Sequence, residues 1–227
     1  RQARVGVMAA ASKIEWADQT WNPFAGCAVL SPGCTNCYAM KMAARLDAMG
    51  QPLYKGLTIP SKAGPVWRGT VRANPDALLA PLKRKKPTTY FVNSMSDLFY
   101  EKFDDEMIDR VFAVMALTPQ HTYQVLTKRA ERMREYFTKP HSAPNISLWQ
   151  AGVTWAIDDI VPMRTDRSRQ ARDQVLRGPL PNCWLGVSTE RQKEADERIP
   201  HLLQTPAAVR FISAEPLLGM IDLNDIP

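Results

Sequence analysis

Three of the four cysteines in this 227-residue chain lie within eleven residues of one another. Cys27, Cys34 and Cys37 form the pattern C-x6-C-x2-C, and Cys183 lies far from them. Two thiolates separated by two residues can hold one metal centre from a single turn of chain, as in zinc and iron–sulfur sites. The spacing leaves three interpretations open: a [4Fe–4S] cluster with one iron free for a small molecule, a zinc site, or redox or structural cysteines.

The zinc interpretation needs a fourth ligand, because structural zinc sites normally have four. The candidates are Cys183, His121, His141 and His201. No second closely spaced pair of cysteines or histidines accompanies them, whereas a cluster held by three cysteines needs no fourth protein ligand. Cys183 lies in "NCWLGV", a pattern typical of a buried strand, and free cysteine is often buried. We therefore expect Cys183 in the hydrophobic core.

The segments that flank the cysteines predict a strand, a loop and a helix. "TWNPFAGC" is typical of a strand that runs into a turn, and "SPGC" of a turn in which Pro32 presets φ. Residues 37–50 have the apolar spacing of a helix that ends at Gly50. In α/β domains, ligands bind at such transitions, beyond the carboxyl ends of the strands.

Alternating strands and helices in the rest of the chain predict a parallel sheet with right-handed crossovers. Strand-like runs occupy residues 88–97, 121–129, 182–190 and 208–216, and helical patterns occupy 104–119, 130–137 and 191–204. With the strand before Cys27, this makes five βα-like units. We expect Pro200 to kink or end the last helix. Residues 51–75 and 138–181 do not follow this alternation of strands and helices and are predicted to be loop excursions.

Polar and charged side chains follow the ends of these predicted strands. Parallel strands end at one edge of a sheet, so these side chains are predicted to form a polar pocket around the cysteine loop. Taken singly, each could instead cap a helix. The set comprises Asn93, Ser94, Ser96, Asp97, Thr127, Lys128, Arg129, Ser188, Glu190, Ser213 and Glu215.

The formal net charge of +6 indicates a polyanionic partner or, alternatively, solvated helix faces. Basic residues cluster at 83–86, 127–139 and 164–177. No apolar run approaches the roughly 20 residues of a membrane span, and the N-terminus lacks the core of a signal peptide, so we expect a cytoplasmic protein with no membrane contact. Three tryptophans could stack on bases, but core packing is the simpler prediction for Trp16, Trp21 and Trp67.

Several segments together resemble a known family. "SKIEWADQTWNPFAGCAVLSPGCTNCYAMKMAARL", "NSMSDLF", "VLTKR", "WLGVSTE" and "FISAEPLLG" are similar to the phage-type three-cysteine-motif proteins, a phage-derived family of unknown function. The cysteine loop, which ends in "GCTNCYA" before a βα series, resembles the radical S-adenosylmethionine (SAM) superfamily. That superfamily commonly has C-x3-C-x2-C with an aromatic residue before the last cysteine. Here the first gap is six residues, Asn36 precedes Cys37, and the aromatic Tyr38 follows it.

The resemblance implies a fold and a chemistry. The fold would be α/β, a partial (β/α)6 TIM-like barrel of parallel strands over residues 12–227, after an N-terminal extension at 1–11. The family usually continues into a further strand, so the last strand would be missing from this chain. Cys27, Cys34 and Cys37 would hold a [4Fe–4S] cluster whose fourth iron binds the amino and carboxylate groups of SAM. An electron from an external donor would cleave SAM to a 5′-deoxyadenosyl radical, which takes hydrogen from the substrate.

The resemblance also implies roles for the strand-end residues. Cofactor-binding residues would be Ser94, Ser96, Asp97, Thr127, Arg129, Ser188 and Ser213, and catalytic residues would be Lys128, Glu190 and Glu215. A phage setting and a basic surface imply a nucleic acid or nucleotide as substrate. Two alternatives without radical chemistry stay open: a zinc-stabilised nucleic-acid-binding module, and a non-catalytic subunit that binds a protein partner encoded nearby.

Overall fold

The computed structural model of the protein describes residues 14–161, 165–224 and 226. The strands are β1 (Gln19–Trp21), β2 (Phe24–Ala25), β3 (Thr58–Ile59), β4 (Val66–Trp67), β5 (Arg72–Ala73), β6 (Thr89–Val92), β7 (Thr122–Thr127), β8 (Cys183–Ser188) and β9 (Val209–Ser213). The helices are α1 (Tyr38–Ala48), α2 (Pro75–Leu78), α3 (Ala80–Lys83), α4 (Asp105–Leu117), α5 (Ala130–Thr138), α6 (Leu148–Ile160), α7 (Asp166–Arg177) and α8 (Gln192–Gln204). The N-terminal extension predicted at 1–11 lies outside the described residues.

Five parallel strands form the main sheet, in the order β1-β6-β7-β8-β9. Every neighbouring pair is parallel, and the strands lie side by side in chain order. This confirms the α/β class and the parallel sheet. The sheet does not close into a barrel within the described residues: it has five strands rather than six, and β1 and β9 form its two edges.

Helices cover one face of the sheet and bury its apolar side chains. Tyr90, Tyr123 and Cys183 share this face with Val92, Val125 and Leu185, because residues in register on parallel strands point the same way. All six belong to the main hydrophobic core, which includes α4 and α6 residues such as Phe112 and Val153. The prediction that Cys183 is a core residue is confirmed.

The opposite face of the sheet is less covered. It carries Phe91, Gln124 and Trp184 in one register row and Leu126, Gly186 and Phe211 in the next. Leu126, Trp184 and Phe211 are only half-buried. A parallel sheet is normally covered on both faces. This open face leads towards the carboxyl ends of the strands, where the cysteines lie.

Residues 138–181, predicted to be a loop excursion, form α6 and α7, which pack against α4. The backbone N–H of Ser147 donates to Gln150 Oε1 at 2.9 Å and marks the start of α6. Residues 51–75 contain a 3-10 turn, the β3–β4 pair, and β5, which pairs with β2. None of the described helices is long and apolar enough to cross a lipid bilayer.

The last helix does not end at Pro200, because α8 continues through this residue to Gln204. A proline in a helix removes one backbone hydrogen bond. Packing on both sides of it compensates: Ile199 and Leu202 are buried in the main core. The carbonyl of Leu202 also accepts a hydrogen bond from Arg210 Nε at 3.0 Å.

Candidate functional site

A cavity of about 440 Å³ lies at the carboxyl ends of the strands. Its volume is within the range of roughly 300–1,000 Å³ that is usual for small-molecule sites. The structure brings twelve of the thirteen predicted site residues to its wall. These are Cys27, Cys34, Cys37, Ser94, Ser96, Asp97, Thr127, Lys128, Arg129, Ser188, Ser213 and Glu215. Glu190 is the predicted site residue that does not line this cavity.

The cysteine loop leaves β2 through Gly26, which has a φ of +99°. A Cβ atom here would lie 2.1 Å from the carbonyl oxygen of Thr70, so this position requires glycine for space as well as for conformation. Cys34 closes a 3-10 turn over Pro32–Cys34. Cys37 immediately precedes α1.

The surroundings of Cys27 strongly perturb its thiol. Burial and, after it, the negative charge of Asp97 together raise the pKa of its thiol to about 12. The guanidinium of Arg129 acts in the opposite direction, with Nη1 3.9 Å from Cys27 Sγ. Cys27 is therefore a protonated thiol near neutral pH in the metal-free protein. A bound metal cation would supply the missing positive charge and displace the proton.

Arg129 holds the cysteine loop against the ends of β6 and β7. Its Nη1 donates to Asp97 at 3.0 Å, its Nε donates to Glu101 at 3.0 Å, and its Nη2 donates to the carbonyl of Ala28 at 3.4 Å. The guanidinium also lies 4.6 Å from the ring centroid of Tyr100. Nearby charges, Asp97 first, raise the pKa of Arg129 despite its burial. Arg129 is thus a fixed, permanently charged anchor.

Asp97 connects the same elements from the other side. It accepts from Thr127 Oγ1 at 2.7 Å, from the backbone N–H of Lys128 at 3.0 Å and from Arg129. It also accepts from the backbone N–H of Phe99 at 3.1 Å. Both carboxylate oxygens are engaged by the protein. The geometry makes Asp97 a residue that positions β7 and Arg129.

Glu190 lies beneath the cysteine loop, and its side chain is 0% exposed. Lys128 and Ser31 donate to Oε1, and Arg198 donates to Oε2 at 3.0 Å. Ser31 belongs to the cysteine loop, so this network joins the loop to β8 and α8. A Cβ atom on Gly33 would lie 2.4 Å from Glu190, so the loop rests directly on this carboxylate.

Two buried polar side chains on the cavity wall have no hydrogen-bond partner among the described residues. They are Asn93, through both Nδ2 and Oδ1, and Ser96, through Oγ. Asn93 also has a φ of +57°, a conformation that asparagine tolerates better than most residues. Sequence reasoning placed Asn93 at the strand ends but assigned it no role, since spacing does not reveal an unpaired amide.

The candidate zinc ligands lie away from the cavity. His121 contacts the carbonyls of Pro81 and Arg84, and Cys183 is in the core. His141 and His201 also do not line the cavity. No group of three His, Cys, Asp or Glu side chains in the described ranges converges as a single metal ion requires. A [4Fe–4S] cluster would bind each thiolate at a different iron, and the three cysteines on this cavity wall are the donors that it would use.

The basic clusters lie at different ends of the sheet. Arg84 Nε donates to Thr88 just before β6, and Arg167 Nε donates to the carbonyl of Leu117 just before β7. Arg84 of the cluster at 83–86 and Arg167 of the cluster at 164–177 therefore lie near the amino ends of the strands, opposite the cavity. Residue 164 lies outside the described residues. The cluster at 127–139 is the one that adjoins the cavity, through Lys128 and Arg129.

The tryptophans divide between core and cavity. Trp21 and Trp67 are buried, as predicted, whereas Trp16 is 37% exposed and lines the cavity.

A protein-family model described as "Protein of unknown function (DUF5131)" matches residues 11–227 of the chain. No curated protein and no solved structure matches the chain significantly.

Proposed function

We propose that this chain, which belongs to the DUF5131 family of proteins of unknown function, is an iron–sulfur enzyme of the radical SAM type. The observation that carries the proposal is the shared cavity: Cys27, Cys34 and Cys37 line it together with the polar ends of β6, β7, β8 and β9. The unpaired side chains of Asn93 and Ser96 on the same wall indicate a site built for a ligand.

A [4Fe–4S] cluster held by the three cysteines would, with an external electron donor, supply the reductive cleavage of SAM that starts radical chemistry. The chain's own contribution is positional and electrostatic. Arg129 places a positive charge beside Cys27 and ties the loop to Asp97. Glu190 supports the loop from below through Ser31. These contacts hold the cysteine loop in place at the wall of the cavity.

The remaining polar residues have distinct places in this proposal. Asn93 and Ser96 would bind polar groups of a ligand, since their buried polar atoms have no partner among the described residues. Lys128 is held between Glu190 and Ser188 and is a positioning residue. Glu215 is exposed at the rim, and its carboxylate has no partner in the described part of the chain. We assign it the contact with substrate.

For the fold, we propose a partial (β/α)6 TIM-like barrel. Two features support it: the strands neighbour one another in chain order, and helices cover one face while the other face stays open. In a barrel the open face would be the lumen, and the ligand would enter from the carboxyl ends of the strands.

Anaerobic reconstitution of the full chain with iron and sulfide tests the proposed function. We expect about four irons and four sulfides per chain, and reductive cleavage of SAM by the reduced protein. Cys27→Ala, Cys34→Ala and Cys37→Ala should each abolish cluster binding. Cys183→Ala is the matched control and should retain the cluster, because Cys183 is in the core. One zinc ion per chain without sulfide, or an intact cluster that leaves SAM uncleaved, refutes the proposal.

A further inference from the structure

An unpaired amide group is buried in the wall of the cavity. Asn93 is 3% exposed, and neither Nδ2 nor Oδ1 has a hydrogen-bond partner among the described residues. Buried amides almost always have partners, since an unmade hydrogen bond is destabilising. Asn93 lines the cavity, and its side chain carries a donor group and an acceptor side by side. A ligand that presents the complementary pair of groups would satisfy both.

Aromatic rings stand beside this amide. Trp16 meets Phe91 edge-on, with 4.8 Å between ring centroids and 66° between the ring planes, and both residues line the cavity with Asn93. Tyr38 lines the same cavity, and its hydroxyl donates to the carbonyl of Ser94 at 2.8 Å. Because Trp16 keeps more than a third of its surface exposed, it is available for stacking against a flat ring.

The cations of the cavity wall are already neutralised. Lys128 is paired with Glu190, and Arg129 is paired with Asp97 and Glu101. Among the described residues, these are the cations that line the cavity, so it offers no unpaired positive charge for a phosphate. The cavity therefore does not favour a phosphate as the part of a ligand that enters here.

We infer that Trp16, Phe91 and Asn93 form a nucleobase-binding subsite. The ring stacks against the aromatic pair, and the Asn93 amide bonds with neighbouring donor and acceptor groups on the edge of the base. The inference deepens the proposed function and rests on it for the source of the base. The source is either the adenine of SAM or a base of the substrate, and both present the same edge chemistry.

Equilibrium binding of two nucleosides to the full chain tests the subsite. Adenosine and purine riboside share one ring system, but purine riboside lacks the exocyclic amine that would donate to Asn93 Oδ1. The wild-type protein should bind adenosine about tenfold more tightly, as expected for the loss of a buried hydrogen bond. Titration calorimetry measures both affinities without any need for a bound cluster.

The Asn93→Gly variant removes the amide and tolerates the φ of +57° at this position. We expect the tenfold preference to fall to about one in this variant. Asn145→Gly is the matched control, because Asn145 has a φ of +65° but does not line the cavity. It should keep the full preference. Trp16→Leu should weaken the binding of both nucleosides by the same factor, because stacking does not depend on the amine. The ratio of the two affinities should therefore stay unchanged.

Competition with SAM identifies the source of the base. If SAM displaces adenosine one for one, the subsite binds the adenine of SAM; if both bind together, it binds a base of the substrate. Either result supports the subsite. The inference is overturned if adenosine does not bind, if wild type shows no preference, or if the preference survives in Asn93→Gly. If the protein binds adenosine but no cluster, only the proposed function is refuted. If it binds a cluster but no adenosine, only the subsite is refuted.

Discussion

Replacing Glu190 with glutamine removes the negative charge on which the cysteine loop rests. The carboxylate is fully buried and faces two cations, Lys128 on one oxygen and Arg198 on the other. Glutamine keeps the shape and one acceptor, but it presents an amide N–H₂ group to one of the cations. The substitution therefore leaves two buried positive charges without a counter-charge, while packing against Gly33 is unchanged.

The size of the effect follows from burial. Breaking a buried ion pair by removing one partner typically destabilises a protein by about 3–5 kcal/mol. The side chain of Lys128 is 19% exposed and that of Arg198 is 6% exposed, so water relieves part of the penalty at Lys128. We expect Glu190→Gln to lower the free energy of unfolding by about 3 kcal/mol. For a chain of this size, that corresponds to a decrease in Tm of roughly 6–12 °C.

Urea denaturation of the metal-free protein under reducing conditions measures this change directly. Glu197→Gln is the control, because Glu197 is 57% exposed and lies 3.8 Å from Lys193, and exposed pairs contribute little. The control should change the free energy of unfolding by less than about 0.5 kcal/mol. A loss below about 1 kcal/mol in Glu190→Gln would show that the buried network does not anchor the loop, and would refute the reasoning.

Three further predictions concern the same loop and the core. Gly33→Ala forces a methyl group to within 2.4 Å of Glu190, so calorimetry should show a lower Tm, and the reconstituted chain should lose iron faster than wild type. In metal-free protein near pH 8, the pKa of about 12 should make alkylation of Cys27 by iodoacetamide at least about a hundredfold slower than that of a model thiol, as peptide mapping would detect. Equal rates would contradict this prediction. Burial also raises the pKa of Asp109 to about 7, above its unfolded value, so folded protein binds this proton more tightly and loses stability as the pH rises towards 7. Asp109→Asn should abolish that loss in urea denaturation series at about pH 5 and pH 8, and a pH dependence identical to that of wild type would contradict it.

The helices and strands that sequence patterns predicted correctly are those with one clear periodicity and a clear stop. α4 begins after Asp104, whose side chain accepts from the backbone N–H of Met107, and it ends before Pro119. α6 was missed because its residues are apolar on most sides, which is typical of a helix packed between other helices and gives a weak amphipathic signal. The spacing of apolar residues also could not predict that α8 continues past Pro200, because this depends on tertiary packing.

The candidate site was predictable in position but not in its internal bonding. Parallel strands end at one edge, and this rule was sufficient to gather twelve of the predicted residues around one cavity. It did not reveal that Glu190 is buried against Ser31, since 159 residues separate the two in sequence. Nor could it show that Asn93 has no partner, because an unpaired amide is identified only from its surroundings in three dimensions.

The residues that hold the cysteine loop in place lie far from it in sequence, and this separation sets the order in which the site can form. The cysteine loop is synthesised before its anchors, because Arg129 lies 102 residues after Cys27 and Glu190 lies 159 residues after Ser31. Until β8 and α8 have formed, nothing in the described network holds the loop from below. Whatever the three thiols bind, the loop has its full set of anchors only after β8 and α8 have formed.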